Sequence, residues 1–291
     1  MNVTIIGFGE AGPVFGRQLL REGLKVTAWD KLQGNPVTAD RQINKTTALD
    51  IIPASSILEA VSSADLVIST VTASQALHAA EQSVEGLCAG CQWLDLNSVS
   101  PATKKSIHDV VAGKDVLFTE GVAMDTVPSK GAQVPILLCG AESQSLSQLL
   151  NNIGFNTRSV SQSLGAASTT KLLRSILIKG MESLFAESIE AAGKVGMEDE
   201  VIASIQATYP GIDWQKVAGY QLSRATLHAT RRAAEMREAQ ALVLQLGVEP
   251  IMAAAIAERQ QNLSDRDIAS NYTPGAEPSI ADYIDAVNKS E

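Results

Sequence analysis

The sequence predicts an α/β fold, a doubly wound parallel sheet, followed by a second domain that is all-α. In the first half of the chain, short apolar runs alternate with helical segments. The runs are continuously apolar, as expected of parallel strands that are covered on both faces. After about residue 160 the periodicity becomes helical, with no convincing strand. We therefore predict two domains, a sheet domain at 1–160 and a helical domain at 161–291.

The individual elements follow from these runs and from their boundary residues. The predicted strands are 2–6, 25–29, 51–52, 66–71, 93–96, 117–118 and 134–139. The helices predicted between them lie near 11–20, 56–62, 74–86, 101–112 and 142–151. The helices predicted for the second half are 168–195, 199–208, 213–246 with Gly219 as the candidate bend, 250–262 and 279–288.

Composition excludes several classes of protein. The 291 residues include 23 Lys and Arg against 32 Asp and Glu, a net charge of −9. Such an acidic chain lacks the basic surface that nucleic acids require, and an anionic membrane does not attract it. No apolar run approaches the roughly 20 residues of a membrane helix, and no signal peptide opens the chain, so we predict the cytoplasm. The three cysteines argue against a disulfide framework, and no cluster has metal-ligand spacing, so no metal is expected.

A glycine-rich loop follows the first predicted strand and opens the first predicted helix. Its first glycine permits a tight turn, its second lets a pyrophosphate approach the backbone, and its third allows the helix to pack closely on the strand. Free amides at the helix N-terminus then bind the phosphates. The pattern therefore predicts a Rossmann domain that binds a dinucleotide. The loop consists of Gly7, Phe8, Gly9, Glu10, Ala11 and Gly12.

The end of the second predicted strand bears on the choice of cofactor. Asp30 stands there, 18 residues after Gly12. A carboxylate at this point accepts hydrogen bonds from the two ribose hydroxyls of NAD and repels the 2′-phosphate of NADP. Lys31 is adjacent and is able to bind such a phosphate. The sequence thus favours NAD and leaves NADP open.

Further motifs extend this pattern over nearly the whole chain. They are Val71-Thr72 after a strand, Asp95 to Pro101, Glu120 to Asp125, and Gly165 to Ser175 with Lys171 at its centre. Together with the glycine loop they resemble the β-hydroxyacid dehydrogenase superfamily, which includes 3-hydroxyisobutyrate, tartronate semialdehyde and 6-phosphogluconate dehydrogenases. The resemblance implies an NAD(P)-dependent enzyme that moves a hydride between the cofactor and a hydroxy acid.

The resemblance also implies roles for single residues. Lys171 is the catalytic lysine; Val71, Thr72 and Asn97 contact the cofactor; and the substrate contacts are Ser98, Gly121, Met124 and Ser175. Three of these depart from the family pattern: Asn97 replaces a serine, Met124 replaces a serine that hydrogen-bonds substrate, and Ser175 replaces an asparagine. The departures suggest a bacterial branch with its own helical domain, so the familiar substrates are not carried over.

Lys171 has the clearest chemical role. Oxidation of a hydroxyl by hydride transfer needs a base that accepts the hydroxyl proton, and the reverse reaction needs an acid. An amine can serve as both. Arg174 follows on the same helical face and either holds a substrate carboxylate or forms a surface ion pair. His228, Arg231, Arg232 and Glu235 recur at helical spacing. They form either a solvated, ion-paired stripe or a basic wall for an acidic substrate, and the resemblance favours the wall, with His228 and Arg231 in contact with substrate.

Two other functions stay open on sequence grounds. One is a non-catalytic or regulatory dinucleotide-binding protein, which would not need Lys171. The other is an oxidative decarboxylase of a 3-hydroxy acid, which would use the same lysine. The long alanine-rich helices of the second half predict a homodimer, because such helices commonly bury a further face against a partner.

Overall fold

The structure, a computed structural model, describes residues 1–273 and 278–290. The chain divides into two compact units, Met1–Lys171 and Leu172–Glu291. The first unit contains the sheet, and the described part of the second is helical. The predicted α/β Rossmann class followed by an all-α part is confirmed. The boundary at residue 160 stays a prediction.

A single eight-stranded sheet runs through the first unit in the order β3-β2-β1-β4-β5-β6-β7-β8. Its strands are β1 (Asn2–Ile6), β2 (Lys25–Trp29), β3 (Ile52–Pro53), β4 (Leu66–Ser69), β5 (Gln92–Asp95), β6 (Leu117–Ala123), β7 (Pro135–Cys139) and β8 (Asn156–Ser161). The helices along it are α1 (Ala11–Arg21), α2 (Ala39–Thr47), α3 (Ile57–Val61), α4 (Ala76–Ser83), α5 (Pro101–Ala112), α6 (Val127–Lys130) and α7 (Ser143–Asn152).

Helices cover both faces of this sheet because successive side chains of each strand point to opposite sides. In β4, Leu66 and Ile68 join the cluster that packs on α1 and α7. Val67, between them, joins the cluster formed with α3, α4 and α5. Both faces of the central strands are therefore buried, which explains why these strands are predominantly apolar.

The far edge of the sheet differs from the predicted parallel arrangement. β7 runs antiparallel to β6, and β8 runs parallel to β7. The segment 124–134 holds only the four-residue α6 and a short 3₁₀ turn. A parallel return needs a crossover of about a dozen residues or more, so this short connection reverses the chain. The polar edge strand β8 has no apolar run and was not predicted.

The second unit begins inside α8 (Ala166–Gly193), a helix that the sequence predicted at 168–195. The other helices of this unit are α9 (Glu198–Thr208), α10 (Trp214–Leu227), α11 (Ala229–Gln245), α12 (Ile251–Asp265) and α13 (Ile280–Lys289). Leu172 and Ile176 of α8 pack on a cluster from α11 and α12.

The predicted helix 213–246 is broken at His228 and not at Gly219, which lies inside α10. A glycine within a helix costs only about 1 kcal/mol, so Gly219 does not by itself end one. At the break, Arg232 Nε donates to the carbonyl oxygen of Arg224 at 2.9 Å. This bond satisfies one of the carbonyls that the end of α10 leaves without a helical partner.

Candidate active site

Five predicted loops meet at one edge of the sheet. Gly7 follows β1, Asp30 follows β2, Thr70 follows β4, Asn97 lies just after β5, and Met124 follows β6. These strands are mutually parallel, so their carboxyl ends lie on the same edge. The strand order reverses between β1 and β4, and doubly wound sheets bind their ligands at such a switch point.

The three glycines of the loop differ in their surroundings. Gly7 has a φ of +89°, and a Cβ there would lie 2.7 Å from the carbonyl oxygen of Thr70. A Cβ on Gly12 would lie 2.6 Å from the carbonyl oxygen of Gly7. A Cβ on Gly9 would have no atom within 4 Å. The protein itself therefore requires glycine at 7 and 12, whereas Gly9 leaves open space against the backbone.

The start of α1 fits an anion beside that space. Glu10 occupies the N-cap position but makes no side-chain capping hydrogen bond. The amides of the first turn of a helix have no intrahelical acceptor, and the helix dipole adds partial positive charge. This end of α1, with the open space at Gly9, fits the pyrophosphate of a dinucleotide.

Asp30 joins the glycine loop to the end of β2. One carboxylate oxygen accepts a hydrogen bond from Phe8 N at 2.7 Å, and the other accepts one from Leu32 N at 2.9 Å. Each carboxylate oxygen keeps a second lone pair that is able to accept from a ribose hydroxyl. Lys31 is exposed beside it. Asp30 thus orders the loop and stays suited to a ribose.

Two side chains of α2 reach the glycine loop, and the sequence analysis missed both. Lys45 Nζ donates to the carbonyl oxygens of Phe8 and Gly9, at 2.8 and 2.6 Å. The buried Gln42 Nε2 donates to Phe8 O at 3.1 Å. No motif marks these residues, because an isolated Lys or Gln on a polar helix has no distinctive spacing.

A buried polar network lies under the loop that follows β5. Lys104 and Asp95 form an ion pair at 2.5 Å with both side chains fully buried. Asn97 Nδ2 donates to Asp95 and to Ser69 Oγ, each at 2.8 Å. Asn97 Oδ1 is buried without a hydrogen-bond partner. A buried orphan acceptor at the binding edge fits a donor group of a bound cofactor, consistent with the predicted role of Asn97.

The predicted catalytic lysine meets one of the predicted substrate residues. Lys171 Nζ donates to Ser98 Oγ at 2.7 Å, although 73 positions separate the two in the chain. Ser98 is exposed and directly follows Asn97, and Lys171 is half-buried. The buried network therefore orders the loop that carries Ser98, whose hydroxyl accepts the hydrogen bond from Lys171.

Glu120 supports the helix that carries Lys171. This fully buried carboxylate accepts hydrogen bonds from the backbone amides of Gly165 and of Ser168, the second at 2.7 Å. A carboxylate at this position caps the first turn of α8 and matches the positive end of the helix dipole. The sequence analysis noticed Glu120 only as part of a motif and assigned it no role.

The remaining predicted residues of this unit lie at the same edge or beneath it. Val71 is half-buried beside Gly7, and Thr72 is exposed in the next turn. Gly121 is buried, and a Cβ there would lie 2.6 Å from Leu96 Cδ2. Leucine side chains of the core therefore leave no space for a side chain at this position. Met124 packs near Ala167, one turn before Lys171. Their roles stay predictions.

In the helical unit, the predicted substrate residues have different surroundings. Arg174 is exposed, whereas Ser175 is buried and accepts from Lys179 Nζ at 3.2 Å. Arg231 has a side chain that is 62% exposed. His228 joins α10 to α11, and burial together with neighbouring arginines lowers its pKa. Whether these four contact a substrate stays a prediction.

Two ion pairs link helices within this unit. They involve Arg232 and Glu235, which the sequence analysis grouped with His228. Lys179 of α8 pairs with Glu235 of α11 at 2.8 Å. Arg232 pairs with Glu182 of α8 at 3.0 Å. Burial raises the pKa of Glu182 to about 7, against the opposing effect of Arg232 and Lys179. Arg232 and Glu235 therefore help to hold α8 and α11 together.

Within residues 1–273 and 278–290, no group of three or more His, Cys, Asp or Glu side chains is arranged to hold a metal ion. Over the same residues, no helix has the length and apolar character needed to cross a membrane.

The fold and the glycine loop define a Rossmann domain of the class that binds NAD(P) in dehydrogenases. Residues 2–158 match the family model described as the NAD binding domain of 6-phosphogluconate dehydrogenase, and the chain belongs to that family. Residues 192–263 match a second model, described as a domain of unknown function. The predicted resemblance and the nicotinamide cofactor are therefore confirmed.

Individual proteins extend this similarity. A conserved hypothetical protein from Sinorhizobium meliloti 1021 is 28% identical, with a TM-score of 0.81 over 100% of this chain and 97% of that one. Glyoxylate/succinic semialdehyde reductase 1 of Arabidopsis thaliana is 24% identical over 70% of this chain and 71% of its own length. The structure of Mycobacterium tuberculosis 3-hydroxyisobutyrate dehydrogenase with L-serine has 15% identity and a TM-score of 0.76, with 98% of each chain covered, which shows a shared fold.

Proposed function

We propose that this enzyme transfers a hydride between NAD(P) and a small hydroxy acid, of which 3-hydroxy acids are the first candidates, or its oxo form, with Lys171 as the general acid and base. The observation that carries the proposal is the 2.7 Å hydrogen bond from Lys171 Nζ to Ser98 Oγ. It brings an amine to the edge of the sheet where the glycine loop also lies. An amine at that position suits proton transfer to or from a reacting oxygen.

The protein supplies the proton chemistry of the reaction. A nicotinamide cofactor, when bound at the glycine loop, would supply the hydride chemistry in either direction. In oxidation, the unprotonated Lys171 amine takes the hydroxyl proton as the carbonyl forms. In reduction, the Lys171 ammonium protonates the developing alkoxide. Ser98 accepts from Nζ and so orients the amine, while Glu120 holds the first turn of its helix.

The substrate is proposed to be acidic and small. The names of the Arabidopsis and Mycobacterium relatives include glyoxylate, succinic semialdehyde and 3-hydroxyisobutyrate, which share a carboxylate. The exposed guanidiniums of Arg174 and Arg231 are candidates to bind it, since arginine pairs with carboxylates in bidentate geometry. His228 and Ser175 are the further candidate contacts.

The direct test measures NAD(P)H absorbance with the purified protein. One arm supplies L-serine or 3-hydroxyisobutyrate with NAD and with NADP, and the other supplies glyoxylate or succinic semialdehyde with the reduced cofactors. We expect turnover with at least one of these compounds, and release of carbon dioxide would assign it as oxidative decarboxylation. Binding of the cofactor without turnover of any compound would support a non-catalytic protein instead.

Variants of Lys171 test the mechanism. Lys171→Ala is expected to lower turnover by roughly 10²–10⁴-fold, the usual contribution of a general acid–base group. Lys171→Arg is expected to fail as well, because guanidinium stays protonated. Lys105→Ala, which removes an exposed lysine of α5, is the matched control. A folded Lys171→Ala protein with nearly full turnover would contradict the mechanism.

We further propose that the protein is a homodimer. An apolar stripe runs along α8 at helical spacing and is exposed: Leu173 39%, Leu177 71%, Met181 40% and Leu184 61%. Exposed apolar patches of this kind on a helix favour burial against a partner. The cytoplasmic location and the absence of a nucleic-acid partner stay predictions.

A further inference from the structure

Two cysteines occupy the ends of one tight turn that precedes β5. The backbone amide of Cys91 donates to the carbonyl oxygen of Cys88 at 3.1 Å, and Gly90 between them has a φ of +80°. This hydrogen bond, with a left-handed glycine at the third position, is typical of a type II β-turn, whose first and last Cα atoms lie within about 7 Å. A disulfide needs Cα atoms about 4.4–6.8 Å apart. The turn therefore brings the two cysteines within disulfide range.

The two thiols have different surroundings. Cys88 is exposed, and its Sγ donates to the carbonyl oxygen of Ser62 at 3.2 Å. Cys91 is 3% exposed and packs in the apolar cluster formed with α3, α4 and α5. Burial, with smaller contributions from Cys88 and Asp65, raises the pKa of Cys91 to about 11. A reagent in solution therefore meets the thiol of Cys88 first, while the fold shields that of Cys91.

A surface cavity gives small molecules access to Cys88. It has a volume of about 330 Å³ and is lined by residues 63–65 and 88–91. Gly90 N donates to Asp115 O at 2.9 Å, which anchors the turn to the chain before β6. Because β5 begins directly after the turn, the cavity lies at the opposite edge of the sheet from the glycine loop. The cysteine pair is therefore separate from the dinucleotide site.

We propose that Cys88 and Cys91 are a thiol–disulfide exchange site, which a low-molecular-weight disulfide oxidises and a low-molecular-weight thiol reduces. The thiolate of Cys88 attacks one sulfur of the small disulfide, whose S–S bond breaks, so that one small thiolate leaves and a mixed disulfide forms on Cys88. Cys91 then gives its proton to water, and its thiolate attacks Cys88 Sγ and releases the second small thiolate. Two protein thiols thereby lose two electrons, and one small disulfide is reduced to two thiols.

The buried thiol suits the second step. Cys91 forms little thiolate, but its attack within one turn is intramolecular, and a thiolate of high pKa is a strong nucleophile. The third cysteine, Cys139, is buried in β7, where its Sγ donates to Glu120 Oε2 at 3.2 Å. A single disulfide, between Cys88 and Cys91, is therefore expected.

Alkylation in denaturant, after equilibration of the folded protein with glutathione disulfide, tests this. The reduced protein should take up three alkyl groups, one on each cysteine, and the oxidised protein one, on Cys139. The peptide that contains both Cys88 and Cys91 should then be lighter by two hydrogen atoms, and dithiothreitol should restore all three thiols. Cys139→Ser is the matched control and should still lose both remaining thiols.

Variants of the pair separate the two steps. Cys91→Ala should stop at the mixed disulfide, with one glutathione on Cys88. Cys88→Ser should react at least about tenfold more slowly, because a buried cysteine is inert. Circular dichroism shows whether each variant is folded. A wild type that keeps three alkylatable thiols, stops at the mixed disulfide, or links two chains through Cys88 would overturn the proposal.

Discussion

Gly9 differs from Gly7 in what surrounds its α-carbon. Gly7 has a positive φ and packs against the chain after β4, so the fold requires glycine there. Gly9 faces empty space, so a glycine at this position leaves room for a ligand to approach the backbone. The same residue type in one loop thus has a structural role at one position and a binding role at another.

This difference gives a prediction at the residue scale. Gly9→Ala should keep the thermal unfolding temperature of the wild type but weaken NADH binding, because the added methyl group occupies the space left for the pyrophosphate. Gly7→Ala should lower the free energy of unfolding by about 1–3 kcal/mol, the cost of a non-glycine residue in a strained conformation. Thermal unfolding and NADH titration of both variants check this. Unweakened binding in Gly9→Ala would contradict it.

At the scale of the element, α8 depends on a residue far from it in the chain. Glu120 in β6 accepts from the amides of Gly165 and Ser168 and so caps the turn that precedes Lys171. Two backbone amides bonded to one buried carboxylate form a charge-assisted cap, which is stronger than a neutral one. The position of the lysine therefore depends on β6 as well as on its own helix.

Glu120→Gln is expected to weaken this cap. A neutral amide oxygen is a poorer acceptor, and the amide NH₂ adds donors where the backbone also donates, so stability should fall by about 1–3 kcal/mol. Turnover should fall with it while NADH affinity is retained, since the glycine loop lies on another element. Glu81→Gln, at an exposed position of α4, is the control. Unchanged stability would show that the carboxylate is dispensable.

The pair between α8 and α11 makes the stability of the helical unit depend on pH. Burial raises the pKa of Glu182 from its usual 4.5 to about 7. Between these values the unfolded chain ionises this carboxyl while the folded chain keeps it protonated. The free energy of unfolding should therefore fall as pH rises through this range.

Glu182→Gln is expected to remove this component, because it has no proton to lose. Urea unfolding at about pH 5 and about pH 8 measures it. The wild type should lose more stability than the variant between the two conditions, and Glu187→Gln, on the exposed side of α8, should behave as the wild type does. Identical pH dependence in the wild type and Glu182→Gln would refute the raised pKa.

At the scale of the whole molecule, the exposed face of α8 bears on assembly. The structure packs Leu172 and Ile176 inward and leaves Met181 and Leu184 exposed with Leu173 and Leu177. The helix is thus apolar on two sides, one within the unit and one available to a second copy.

Leu177→Glu should convert the proposed dimer to a monomer, since a carboxylate at the centre of the stripe resists burial. Light scattering over a range of protein concentrations measures the mass. Val37→Glu changes another exposed apolar residue, 90% exposed in the first unit, and should leave the mass unchanged. A wild type that is monomeric at every concentration would contradict the dimer.

The sequence by itself determined most of the strands and helices in their order along the chain, the glycine loop, Asp30 and the position of Lys171 on a long helix. These features are local: apolar periodicity, a strand–turn–helix spacing and a motif are all contained within short stretches of chain.

Only the tertiary structure decided what Lys45, Lys104 and Glu120 do. Lys45 and Phe8 are 37 positions apart, and Glu120 and Ser168 are 48 apart. The break at His228 likewise depends on its surroundings, where Arg232 Nε donates to the carbonyl oxygen of Arg224. A side chain's role depends on its neighbours in space, and burial and hydrogen-bond partners across the fold have no period or spacing along the chain.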